Sequence, residues 1–173
     1  MRTTAIISAF LLVSASLFAQ GNGNKEKFKY SNITEFGFIT VNPQNFAFEW
    51  TTSQGFSINK KHHLGLGFGM GMNLNYGFYT PVFINYRLYF HPEKRLTPHL
   101  NYALGGLFTD EGGGIYNALT AGFKAGAFSF ASGLSWMMVV QREYRNYPVG
   151  TRRIGDLYGE FPFGIVLKFG FAF

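Results

Sequence analysis

The sequence predicts an all-β fold, an eight-stranded antiparallel up-and-down β-barrel formed by residues 31–173. Three observations predict it. The last thirteen residues alternate between large apolar residues and mostly small or charged ones, which is the period of a strand. Seven earlier segments, separated by turn signals, repeat this alternation. The composition is 19% aromatic with 22 glycines, unusually rich for a globular domain, and 173 residues suffice for one domain.

The terminal segment, residues 161–173, shows the pattern most clearly. Its odd positions are all large and apolar: Phe161, Phe163, Ile165, Leu167, Phe169, Phe171 and Phe173. Its even positions are Pro162, Gly164, Val166, Lys168, Gly170 and Ala172. A strand with one uniformly apolar face suits a barrel wall that meets lipid, so the sequence predicts a transmembrane β-barrel. The mean hydropathy of +0.03 agrees, because a barrel strand is apolar only at alternate residues.

The first nineteen residues are expected to be a cleaved signal peptide. Arg2 precedes an apolar run that extends from Ala5 to Phe18 and ends at Ala19. The run is too short for a spanning helix. Cleavage after Ala19 would leave residues 20–30, which are rich in glycine, asparagine and lysine, as a flexible periplasmic arm.

Seven alternating segments precede the terminal one. They are Ser31–Val41, Gln44–Ile58, Leu64–Tyr76, Tyr79–Phe90, Leu96–Phe108, Ile115–Ala125 and Phe128–Gln141. The third contains four glycines at alternate positions between Gly65 and Gly71, without the lysine and hydroxyl residue of a phosphate-binding loop. We expect these glycines to leave room inside the barrel for Arg87 or Tyr89. Gly105 and Gly106 together are a candidate β-bulge.

An even number of strands brings both chain ends out on one side of the barrel. One long connection, residues 142–159, lies on the other side and interleaves arginines with tyrosines. Its candidate contact residues are Arg142, Tyr144, Arg145, Tyr147, Arg152 and Arg153. Arginine binds phosphate groups well, and a merely solvated loop is the alternative. Aromatic residues at strand ends are expected to form interfacial girdles: Trp50, Tyr76, Tyr79, Tyr102, Trp136 and Tyr158.

The inward face of the predicted barrel collects polar and charged residues. They are Glu35, Glu49, Arg87, His99, Lys124 and Lys168. The interior of an eight-stranded barrel is just wide enough to be filled by side chains. A buried charge that loses its partner costs about 3–5 kcal/mol, so we expect these groups to form a packed and paired polar network. An ion path or a ligand cavity is the alternative.

With its leader, its eight amphipathic strands and its terminal phenylalanine, the chain resembles the small eight-stranded bacterial outer-membrane β-barrels, namely the OmpX type and the transmembrane domain of the OmpA type. The resemblance covers essentially the whole mature chain. It implies a monomer in the outer membrane, with outer-membrane lipids, lipopolysaccharide and the outer-membrane assembly machinery as partners. Phe169, Phe171 and Phe173 resemble the terminal assembly signal of such barrels. Because these families have diverse functions, the resemblance implies little chemistry.

The function we expect is non-enzymatic: a role in envelope structure, or in surface contact through the loop 142–159. The alternative is a narrow channel or a transport or secretion accessory that uses the charged interior. We expect no cofactor and no metal, because the chain has no cysteine and its histidines form no ligand pattern. The net charge of +6 is not clustered as nucleic-acid binding requires.

A lipid-modifying enzyme is a third class of function. A serine hydrolase needs a serine, a histidine and an acid side by side. His62 and His63 are expected at a turn, which leaves His99 and Ser129 as the best pair. A soluble lipocalin-like barrel is disfavoured, because it would place its large apolar residues inside and leave its charged residues outside.

Overall fold

The computed structural model describes residues 28–42, 45–74, 77–110, 112–142, 157–160 and 163–172. These residues form antiparallel strands and their turns. The strands are β1 Phe28–Asn42, β2 Asn45–Ile58, β3 His62–Asn73, β4 Gly77–Tyr89, β5 Leu96–Thr109, β6 Gly112–Ala125, β7 Phe128–Arg142, β8 Leu157–Glu160 and β9 Phe163–Ala172. No helix within these ranges has the length and apolar character needed to cross a membrane. The all-β prediction is confirmed.

The sheet closes on itself because β9 is paired along both edges. One edge of β9 pairs with residues 128–136 of β7, and the other edge pairs with residues 33–40 of β1. The short β8 pairs with residues 139–142 of the same β7 edge, so β8 and β9 are two parts of one barrel strand. Strands β1 to β7 each pair with the next in sequence. The predicted closed barrel of eight antiparallel strands is therefore confirmed.

Side-chain alternation sorts the residues of each strand between the interior and the outer wall. Along β3, buried and exposed positions alternate without interruption from His63 to Asn73. On β9, the Lys168 side chain is only 2% exposed, whereas the neighbouring Phe169 is 56% exposed. The two faces of each strand therefore have the predicted orientation, with polar residues inside and large apolar residues outside.

Large apolar side chains dominate the outer wall. They are contributed by all eight barrel strands, for example by Leu66, Ile84 and Leu104 on three neighbouring strands. Aromatic rings also meet across β7 and β9, where the centroids of Phe128 and Phe171 lie 4.9 Å apart. The outer wall of this barrel is therefore formed largely by apolar side chains, as a protein core is.

Several strand boundaries differ from those expected. β1 begins at Phe28, inside the segment predicted as an arm, because residues 28–30 pair with the end of β2. β8, Leu157–Glu160, begins inside the predicted loop, because it extends the pairing along β7. The register runs without a shift through Gly105 and Gly106, so the predicted bulge there is wrong. The irregularity lies instead between Thr40 and Asn42.

Candidate functional site

The barrel interior has two ends, which we name by the chain. The termini end is the one where β1 begins and β9 ends, and the far end is the opposite one. The interior contains, from the termini end, a polar region with incomplete pairing, two ion pairs and an apolar layer. Five of the six predicted interior residues are buried, and Lys124 is half-buried.

The first ion pair joins Glu35 on β1 to Arg87 on β4. Nη2 of Arg87 lies 2.5 Å from Oε1 of Glu35, and both side chains are buried. Nε of Arg87 also donates to Oδ1 of Asn101 at 3.1 Å, and that oxygen accepts a second bond from Nδ2 of Asn85 at 2.9 Å. Since β1 and β4 are not neighbours, this pair ties two separate parts of the barrel wall together.

The second ion pair joins Glu49 on β2 to Lys168 on β9. Nζ of Lys168 lies 2.8 Å from Oε1 of Glu49. The hydroxyl of Tyr116 on β6 donates to the same oxygen at 2.8 Å, and Tyr79 donates to Oε2 at 3.4 Å. The Glu49 carboxylate thus interacts with side chains from three other strands. Side chains from opposite walls of the barrel therefore meet at this level.

Tyr79 and Tyr116 are functional residues of this network that sequence reasoning missed. Tyr79 was predicted to be part of a girdle, and this is wrong, since it is only 5% exposed. Its inward orientation could have been predicted, because Tyr79 lies an even number of residues from Phe83 and Arg87 on β4 and therefore faces the same side. Trp50 and Tyr102 of the predicted girdle are exposed, and Trp136 is partly exposed. The side chains of the remaining two, Tyr76 and Tyr158, lie outside the described part.

An apolar layer fills the interior toward the far end. It contains buried side chains from β1, β4, β5, β7 and β9, namely Ile39, Phe83, Leu107, Met137 and Val166. The rings of Phe83 and Tyr116 lie 5.3 Å apart and connect this layer to the Glu49 network. Within the described part, the far half of the interior therefore contains this apolar layer, and the side chain of Asn73 is also buried there.

The glycines of β3 make room for large neighbours, but not for those expected. A Cβ atom at Gly67 would collide with the ring of Phe83, and one at Gly71 would collide with the ring of Tyr79. The prediction that Arg87 or Tyr89 uses this space is wrong. The register explains the difference, because Gly67 and Gly71 lie directly opposite Phe83 and Tyr79 on β4.

At the termini end, His99 and Lys124 lie beside Tyr89. The rings of His99 and Tyr89 are 5.8 Å apart, and Nζ of Lys124 lies 5.5 Å from the centre of the Tyr89 ring. Neither ring nitrogen of His99 has a hydrogen-bond partner among the described residues. These two predicted residues therefore belong to the interior but not to either ion pair.

The histidines and Ser129 show no hydrolase geometry in the described part. His63 is fully buried in β3, where Nε2 lies 3.3 Å from Oγ of Ser53, so its predicted place at a turn is wrong. His62 faces outward, with Nδ1 2.8 Å from the hydroxyl of Tyr86. Ser129 and His99 are both buried, but the Ser129 hydroxyl has no hydrogen-bond partner there. The described residues contain no group of three or more side chains suited to hold a metal ion.

Only some of the loop candidates and terminal phenylalanines lie within the described residues. Residues 143–156 lie outside the described ranges, and of the candidates only the backbone of Arg142 is described, as the end of β7. Phe169 and Phe171 face outward, and their rings make tilted contacts with the rings of Phe130 and Phe128. Phe173 lies outside the described residues.

Comparisons with protein-family models, with curated proteins and with solved structures gave no significant match to this chain. Its own residues and geometry are therefore what supports a function.

Proposed function

We propose that the protein is a non-enzymatic integral β-barrel of the bacterial outer membrane, exported by a cleaved signal peptide. One observation carries the proposal: the barrel is apolar outside and ionic inside. Lys168 and Glu49 are buried in its interior, while apolar residues such as Leu66 and Ile84 are more than half exposed on its wall. Lipid is the solvent in which such a wall is stable, and closure leaves no unpaired edge within it.

A water-soluble barrel fits this arrangement poorly. Monomeric soluble proteins rarely expose an apolar patch larger than roughly 300–600 Å². Here the exposed apolar residues occur on every barrel strand. The interior also lacks the character of a lipocalin-like cavity, because two ion pairs and their hydrogen-bond partners occupy its middle.

The strand lengths of β1 to β7, 12 to 15 residues, exceed the roughly 9–11 that a tilted crossing of the hydrocarbon needs.

The packing of the barrel interior favours a structural or contact role over ion conduction. A narrow channel needs an open path between the two ends. In the described part, Glu49, Tyr116 and Lys168 meet across the interior, and apolar side chains fill the level beyond them. We therefore propose a function in the envelope itself, or on the cell surface.

Surface contact would be made by the loop 142–159. Its four arginines, Arg142, Arg145, Arg152 and Arg153, suit phosphate groups of lipopolysaccharide or of an acidic surface partner. Replacing all four with glutamine is expected to reduce surface attachment and the resistance of the envelope to detergents, both measured in whole cells. The matched control is Lys60→Gln with Lys61→Gln in the turn at the opposite end, which removes positive charge without touching the loop. Unchanged attachment and resistance in the arginine variant would contradict the proposed contact.

A further inference from the structure

The polar side chains at the termini end of the interior are not all satisfied by the protein. The buried atoms without a hydrogen-bond partner in the described part include Nη1 of Arg87, the hydroxyls of Tyr89, Thr120 and Ser129, and both ring nitrogens of His99. These atoms come from β4, β5, β6 and β7. Native proteins rarely leave several buried polar groups unpaired in one region. The cluster therefore indicates a partner that is not part of the chain.

The strand register places these groups around one region of the interior. Tyr89 and His99 are directly opposite each other on β4 and β5, and the next position across from His99 is Gly122 on β6. Lys124 and Ser129 are directly opposite each other on β6 and β7. The ammonium of Lys124 reaches the ring of Tyr89, so the two pairs border the same region.

The charge and the hydrogen-bonding capacity of this region favour an anion. Arg87 and Lys124 both have basic side chains, and Glu35, the carboxylate that contacts Arg87, is already bound to Nη2 of Arg87. In the described part Lys124 has no carboxylate partner. Nη1 of Arg87, Nζ of Lys124 and the hydroxyls of Tyr89 and Ser129 can all donate hydrogen bonds. Two further unpaired atoms lie near Arg87: Oδ1 of Asn85, one inward position deeper on β4, and Nδ1 of His63, which is directly opposite Arg87 on β3.

The rim around this end is also basic. Five exposed cationic residues lie there: Lys29, Lys60, Lys61, Lys94 and Arg95. Glu93 is the one exposed acidic residue at this end within the described ranges. An opening lined by one sign of charge raises the local concentration of the opposite ion, so the rim would draw anions toward the interior.

From these observations we propose that the termini end of the barrel interior binds a small oxyanion of the phosphate type. Its ligands are Arg87, Tyr89, His99, Lys124 and Ser129. An oxyanion offers several acceptor oxygens to donors that arrive from four strands, and guanidinium matches its geometry. Because the apolar layer lies beyond the ion pairs, the site is closed toward the far end. The anion therefore enters and leaves at the termini end. The inference does not depend on where the barrel resides in the cell.

The test is calorimetric titration of the purified full mature chain in detergent micelles with inorganic phosphate at low ionic strength. We expect saturable binding of one phosphate per barrel. Ser129→Ala and Lys124→Gln should each weaken binding about tenfold, because each removes one donor, and in Lys124→Gln also a charge. The matched control is Ser135→Ala, which removes a buried inward hydroxyl of the same strand that donates to the backbone oxygen of Asn117 instead. Circular dichroism would show that each variant retains the barrel.

Two results would overturn the site. Absence of saturable phosphate binding by the unaltered chain would mean that the cluster is satisfied by water alone. Equal weakening in Ser135→Ala and Ser129→Ala would mean that binding is not located at the termini end. Neither result bears on the proposed membrane location, because that proposal is tested in cell fractions.

Discussion

At the scale of single residues, the interior depends on two buried charge pairs that join strands that are not neighbours in the sheet. Arg87 reaches Glu35 from β4 to β1, and Lys168 reaches Glu49 from β9 to β2. Both carboxylates and both cations are buried, so each cation depends on its partner for a counter-charge. The hydroxyl of Tyr116, which bonds both Glu49 and Lys168, makes the second pair a network of three strands.

Glu49→Gln is expected to lower the free energy of unfolding strongly. The variant keeps the size of the side chain but leaves Lys168 buried without a counter-charge, which costs about 3–5 kcal/mol. Urea unfolding in micelles would measure the change. Glu93→Gln, at an exposed turn position, is the matched control and should change little. If Glu49→Gln were as stable as the control, the paired network would not be what holds the interior together.

The sequence predicted which charged residues face inward, but not how they pair. Parity along each strand is enough to place Glu35, Glu49 and Arg87 on one face. The pairing depends on the register and on the reach of each side chain across the barrel, which residue spacing does not contain. His63 was misplaced for a simple reason. Strand β3 begins at His62, two residues earlier than the predicted start at Leu64, so His63 lies within the strand.

At the scale of the strands, β3 is shaped by its neighbours. Its inward positions from Gly65 to Gly71 carry no side chains, and the rings of Phe83 and Tyr79 on β4 lie over two of them. Small residues on one strand and large ones on the next fill the narrow interior without overlap. The glycines of β3 therefore serve packing rather than flexibility.

Gly67→Ala is expected to destabilise the barrel by about 1–3 kcal/mol, because its new methyl group would overlap the ring of Phe83. Adding Phe83→Leu should recover part of the loss by removing the atoms that clash. Gly106→Ala on β5 is the matched control, since its Cβ would meet only the ring of Phe108, at 3.5 Å. Urea unfolding compares all three. Equal costs at Gly67 and Gly106 would show that glycine matters there for another reason.

The sequence located all eight barrel strands but fixed their ends less well. Alternation identifies the middle of a strand, where each face has a clear character. At the ends it fails, because strand pairing can continue through polar residues such as Lys29, and β8 forms within a stretch of mixed composition. The predicted closure is confirmed by the pairing of β9 with both β1 and β7.

At the scale of the whole molecule, the arrangement of polar and apolar residues is the reverse of that in a soluble protein. Alternation alone does not tell which face of a strand is inside, since a barrel with the opposite orientation has the same period. The burial of Lys168 and Glu49 decides this point. From it follows the proposal that the wall faces lipid, and that any chemistry lies in the interior or in the loops.

The most direct test of the membrane proposal is gel migration of the protein from a detergent-solubilised outer-membrane fraction, with boiled and unboiled samples side by side. A closed barrel with a lipid-facing wall is expected in that fraction, and its unboiled band should run at a different position from the boiled band, because detergent alone does not open the paired strands. Recovery of the protein as a soluble periplasmic species, with one band position before and after boiling, would contradict the account.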